Sequence, residues 1–201
     1  GALRPINISP HENLIVADLK VDLPPSIHVA EAMGPMRYLF CGMIVNSGAF
    51  FAVPIATRES DSIVQALHSV RVEHKLERLA VVLHCDGERS CVMSRAVNCY
   101  LRASQGRIIT TIPHLKSSAS LQERSVRTIA EGTACLLAQA CAPVVYWPFA
   151  AMAWCYNYNK EFVVVGGNPW SGRVTQLQCR PFGQIGHAVL PSAAKVRHGF
   201  K

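Results

Sequence analysis

Apolar and polar residues alternate after Val16 along LIVADLKVDL (14–23), the period-two signature of a strand with one face buried. PPS (24–26) ends it, and RYLFCGMIVN (37–46) reads as a second, more deeply buried strand. Asn46-Ser47-Gly48 is a turn signal, and AFFAVPIA (49–56) follows at hairpin distance. Pro54 cannot donate to a ladder, which predicts that this third strand lies at an edge or carries a bulge. The period then changes. Ser60 or Asp61 can cap a helix whose apolar positions are Ile63, Val64, Leu67, Val70 and Val72. LAVVLHCD (79–86) is apolar on both faces and reads as a central strand parallel to a neighbour. A helix over 91–105, a short strand RIITTIP (107–113) and a long helix from about Ser120 to Cys141 come next. That long helix has Val126, Ile129, Ala130, Leu136 and Leu137 as its apolar stripe, and another helix covers roughly Pro148 to Asn159.

A three-strand meander followed by alternating helices and strands predicts an α/β fold: a five-stranded mixed sheet flanked by helices on both faces. The pattern divides the chain into a core over 1–160 and a basic extension over 161–201. The stretch 134–156 carries no charge and is long enough to span a bilayer. Pro143, Pro148 and Gln139 interrupt it, and its Ala- and Cys-rich composition suits two buried helices joined by a proline turn, so no membrane partner is expected.

Composition then narrows the function. With 50% hydrophobic and 16% charged residues the chain is no disordered tail, and a net charge of +7 favours a polyanionic partner, nucleic acid first. Eight cysteines form no CxxC pair, which argues against a structural zinc site. Cys41, Cys135 and Cys141 sit in apolar runs, as buried thiols do in a reducing, intracellular compartment. Residues 1–13 are polar and proline-containing, so no secretory leader is expected there, and the abrupt ends suggest a piece of something longer.

With only 13 acidic residues, the position of each is informative. Asp18 lies mid-strand among Val16, Ala17 and Leu19, where a carboxylate needs a partner, and Asp22 competes for the same role. Asp86 ends a buried strand, the place where open α/β sheets gather ligand groups. Glu123 is expected in the first turn of the long helix, sharing an inward stripe with Val126 and Ala130. Each acid alone has an ordinary explanation as turn residue, cap or dipole partner. Together, three converging carboxylates would hold hard divalent cations, Mg²⁺ or Mn²⁺, and two such ions suit in-line phosphoryl displacement.

The order and spacing of these acids carry a resemblance. There are 67 residues between Asp18 and Asp86 and 36 between Asp86 and Glu123. LIVADL (14–19), VLHCDGE (82–88), TIPHLKSSASLQERSVRTI (111–129), YWPFAAMAWCYNYN (146–159) and CRPFGQIGHAVLP (179–191) follow in the order of a known set. With them the chain resembles the catalytic core of retroelement integrases, most closely the copia-type retrotransposon polyprotein. Pro113, Glu123, Arg124, Arg127 and Thr128 fall in register with that family's pattern.

The resemblance implies a ribonuclease-H-like fold and a catalytic, metal-binding triad of Asp18, Asp86 and Glu123 with two Mg²⁺ or Mn²⁺ ions. It implies a polynucleotidyl transferase that trims DNA 3′ ends and joins them to target DNA. Lys116, Arg124 and Arg127 would then contact phosphates, the chain would form a homo-oligomer, and it would act in the nucleus. KSSASLQ (116–122) departs from the family's Pro-Gln and Asn-Gly loop. The alternative is therefore a silent integrase-like domain that only binds nucleic acid.

Overall fold

A computed structural model describes residue 9 and residues 12–27, 35–85, 94–110, 116–161 and 182–183, with only the backbone course for 116–120 and 161. Five strands form one sheet: β1 (Glu12–Lys20), β2 (Tyr38–Ile44), β3 (Ala49–Ile55), β4 (Ala80–Cys85) and β5 (Arg107–Thr110). Their order is β3-β2-β1-β4-β5. The first three run as an antiparallel meander, and β4 and β5 continue parallel to β1. Among the described residues four α-helices accompany them: α1 (Ser60–Glu73), α2 (Arg95–Ala103), α3 (Lys116–Gln139) and α4 (Trp147–Glu161), the last entered through a 3₁₀ turn at Val144–Tyr146. The mixed sheet is as the hydrophobic pattern predicts, and β3 is indeed an edge strand.

The pleat of β1 sorts the two faces. Ile15, Ala17 and Leu19 join the larger core with Ile63, Leu67 and Val70 of α1 and with Val97 and Leu101 of α2. Leu14 and Val16 face the other way, against Val82 and Leu121 of α3. On that second face Leu39, Cys41, Phe50 and Ala52 pack against Ile129 of α3 and against Trp147, Ala151 and Cys155 of α4. The sheet therefore has helices on both faces. Full burial of side chains such as Phe40, Phe51 and Ile15 contributes about 1.5–3 kcal/mol each.

Local polar chemistry trims each junction. The Asn46 side chain accepts from the Leu14 amide at 2.9 Å and lengthens the β1–β2 ladder beyond the turn at Gly48, whose φ is 69°. Ser94 caps α2 by accepting from the Val97 amide at 3.2 Å. Arg71 is buried without a carboxylate partner among its hydrogen bonds; its guanidinium donates to the carbonyls of Leu76 and Glu77 and lies over the Tyr100 ring.

Three expectations need correction. Val72 is 47% exposed, because α1 buries Ile63, Ala66, Leu67 and Val70, and Val72 lies on the far side of that stripe. Cys135 and Cys141 are exposed, the first on the outer side of α3 and the second in the turn that follows it, with φ of 49°. The long helix starts at Lys116 and not at Ser120. From 162 onward, where the basic extension is expected, only Phe182 and Gly183 are described, with Gly183 set against Ala140 just after α3. No helix among the described residues is long and apolar enough to cross a membrane.

Candidate active site

Asp18 stands in the central strand on the face turned to α3, and strand pairing places it opposite Cys41 of β2. Its carboxylate is half-buried and accepts from the Leu19 amide at 2.7 Å. On the other side of β1, the last residues paired with β4 are Ala17 and Cys85. Each immediately precedes a candidate aspartate in the sequence, Asp18 and Asp86. Asp86 itself lies outside the described residues.

Glu123 is not in the first turn of α3. With the helix starting at Lys116 it is the eighth residue, too far in for the N-terminal dipole to account for it. Nor does it share a buried stripe. Gln122, Ser125, Ile129 and Thr133 are the buried positions, and Ala130 is exposed. The Glu123 carboxylate is 67% exposed and accepts from Arg127 at 3.0 Å, one turn on.

Even so, the fold brings Asp18 and Glu123 to one place. A cleft of about 490 Å³ between β1 and α3 is lined by Asp18 and Lys20 of the strand and by Gln122, Glu123, Val126, Arg127, Ala130 and Glu131 of the helix. Asp22, the competitor of Asp18, is exposed in the loop after β1 with φ of 60°, and it does not line the cleft. Of the basic residues expected at phosphates, Arg127 lines the cleft and Arg124 is exposed beside it in sequence, outside the lining. Lys116 opens α3, and its side chain lies outside the described residues.

Sequence reasoning missed Lys20, Gln122 and Glu131. Lys20 was findable, because a strand residue two places from Asp18 shares its face. The lining presents hard carboxylate oxygens, with no thiol or imidazole among its side chains. That donor chemistry fits Mg²⁺ or Mn²⁺. Among the described residues no three His, Cys, Asp or Glu side chains come close enough to hold a metal by themselves.

The strand order and the helix layers have a solved counterpart. The chain is similar to the catalytic core domain of BIV integrase, with a TM-score of 0.52 over 81% of this chain and 93% of that one. The fold is ribonuclease-H-like. At 17% identity the similarity speaks for the fold alone. No protein-family model matches the sequence, and no curated protein matches it.

Proposed function

We propose that this domain is the catalytic core of an integrase-type polynucleotidyl transferase, of the copia-type retroelement class, which processes DNA 3′ ends and joins them to target DNA. One observation carries the reading: Asp18 and Glu123, 105 residues apart, line a single cleft on the α3 face of a ribonuclease-H-like sheet. Asp86 would be the third acid: in sequence it directly follows Cys85, which pairs with Ala17, the residue before Asp18. The three carboxylates would hold two divalent cations, whose chemistry is to stabilise charge on the attacking and leaving oxygens of a phosphoryl transfer.

The protein's own residues do the rest. Lys20 and Arg127 place positive charge on both walls of the cleft, one from the strand and one from the helix, where a DNA phosphate between them is held. Arg127 also pairs with Glu123 one helical turn away. End processing breaks a phosphodiester with water and leaves a 3′-hydroxyl. In joining, that hydroxyl oxygen bonds to a target phosphorus as the target's own P–O3′ bond breaks, so no covalent enzyme intermediate is needed. The setting is intracellular and, when DNA is joined, nuclear, with a homo-oligomer bringing two ends together.

The test is cleavage, joining and reversal of joining on a branched duplex, with Mn²⁺ or Mg²⁺, comparing wild type with Asp18→Asn, Asp86→Asn and Glu123→Gln. Loss of activity by at least about 100-fold in all three folded variants is the expected result. A folded wild type with no activity and no rise in melting temperature on adding Mn²⁺ overturns the proposal and leaves a silent DNA-binding domain.

A further inference from the structure

Gln122 is an unusual residue for its position. It is 2% exposed, and its Nε2 donates to the carbonyl oxygen of Ala17 at 2.7 Å. Its Oε1 is buried and has no hydrogen-bond partner among the described residues. A buried amide oxygen without a donor destabilises the fold, and an apolar side chain of the same length would avoid that cost. Stability alone therefore does not explain a glutamine here.

Its placement does. Ala17 is bonded to Asp18, and Gln122 is bonded to Glu123. The hydrogen bond between Gln122 and Ala17 thus joins the two backbones at the residues immediately before the two carboxylates of the cleft. Leu121 also packs against Leu14 and Val16, an apolar tie between α3 and this stretch of β1, and apolar contacts tolerate sliding. A directional bond to a backbone carbonyl does not. We infer that Gln122 is a positioning residue, which sets the separation and relative height of Asp18 and Glu123 and so tunes the cleft for a divalent cation. The inference rests on the reading of the cleft given above and adds to it a residue outside the acidic triad.

Gln122→Met tests this, because it keeps the length and removes both the bond and the orphaned oxygen; Gln122→Leu serves as a second variant should methionine pack poorly. Wild type, Asp18→Asn and both variants are followed by thermal unfolding, by titration with Mn²⁺ alone at a temperature where all are folded, and by hydrogen exchange of the Leu19 amide, which donates to Asp18. Melting close to the wild-type temperature, because the lost bond to Ala17 offsets the removed orphan oxygen, Mn²⁺ binding weakened about tenfold or more and faster Leu19 exchange are expected. Unchanged Mn²⁺ binding with unchanged Leu19 exchange overturns the inference. So does a loss of Mn²⁺ binding that appears only in a variant whose melting temperature has fallen. If wild type and Asp18→Asn both take up no Mn²⁺, the metal reading of the cleft fails, and Leu19 exchange alone then decides whether Gln122 positions Asp18.

Discussion

Gly42 has no room for a side chain: a Cβ there would overlap the carbonyl oxygen of Val16 on the neighbouring strand β1. The obstacle is central-sheet backbone, which cannot move aside. Gly42→Ala is expected to lower stability by about 3 kcal/mol, read as a shift of the urea midpoint with an unchanged slope. Thiol chemistry is also decided residue by residue. Burial pushes the Cys41 thiol up to about 12, with the Asp18 carboxylate as the second cause, and burial holds Cys155 well above the usual thiol range. A maleimide at neutral pH should modify Cys99, Cys135 and Cys141 in the folded protein and reach Cys41, Cys85 and Cys155 only after unfolding. Peptide mass spectrometry distinguishes the two sets. Modification of Cys41 at the rate of Cys99 would contradict the packing described.

Between elements, the sheet edge depends on one amide. Asn159 of α4 accepts from the Phe50 amide at 2.8 Å and donates to the Phe50 carbonyl at 2.7 Å, so its side chain occupies the edge of β3 as a neighbouring strand would. Asn159→Leu removes both bonds and leaves two buried backbone groups without partners. A loss of about 2 kcal/mol is expected from thermal or urea unfolding. Close by, α3 and α4 approach at Gly132, where any Cβ would overlap the Trp154 ring, which in turn meets Phe50 edge-on and lies tilted against Tyr158. Glu73 of α1 lines a cavity of about 270 Å³ with Phe50, Met152 and Cys155, and burial raises its carboxyl above the ordinary range. A raised folded value means that the charged form weighs against folding. The burden is absent below the unfolded value near 4.3 and grows as pH rises through the folded one. Glu73→Gln should therefore raise the melting temperature at pH 7 and leave it unchanged near pH 3.5.

For the whole molecule, a net charge of +7 and a cleft walled by Lys20 and Arg127 make DNA affinity a salt-sensitive quantity. Lys20→Ala and Arg127→Ala should each weaken binding to duplexes of any sequence and reduce the slope of log affinity against log salt by about 1. Because the Arg127–Glu123 pair is exposed on both sides, Arg127→Ala should change stability by less than about 1 kcal/mol. Filter binding across a salt series, with a thermal melt beside it, checks both statements.

Alternation of apolar residues and turn residues is a local property, so the strands, the mixed sheet, the edge position of β3 and Asp18 as a notable acid could all be read from the chain alone. The first turns of α3 could not. Ser117 and Ser118 look like loop residues until the helix has a sheet to rest on. The register of Glu123 was misjudged for a related reason. The buried stripe of α3 holds Gln122, Ser125 and Thr133, polar groups that a hydrophobic pattern assigns to solvent. Their donors are met within the fold: Ala17, Leu121 and Ile129 carbonyls accept from them at 2.7 Å, while the Gln122 Oε1 has no partner among the described residues. Hydrophobic periodicity thus determined which segments become strands and helices, since burial of one face needs only local spacing. The meeting of Asp18 with Glu123, and the hydrogen bond from Gln122 beside them, was decided by tertiary packing, because those contacts join residues about a hundred positions apart and depend on how α3 seats on β1.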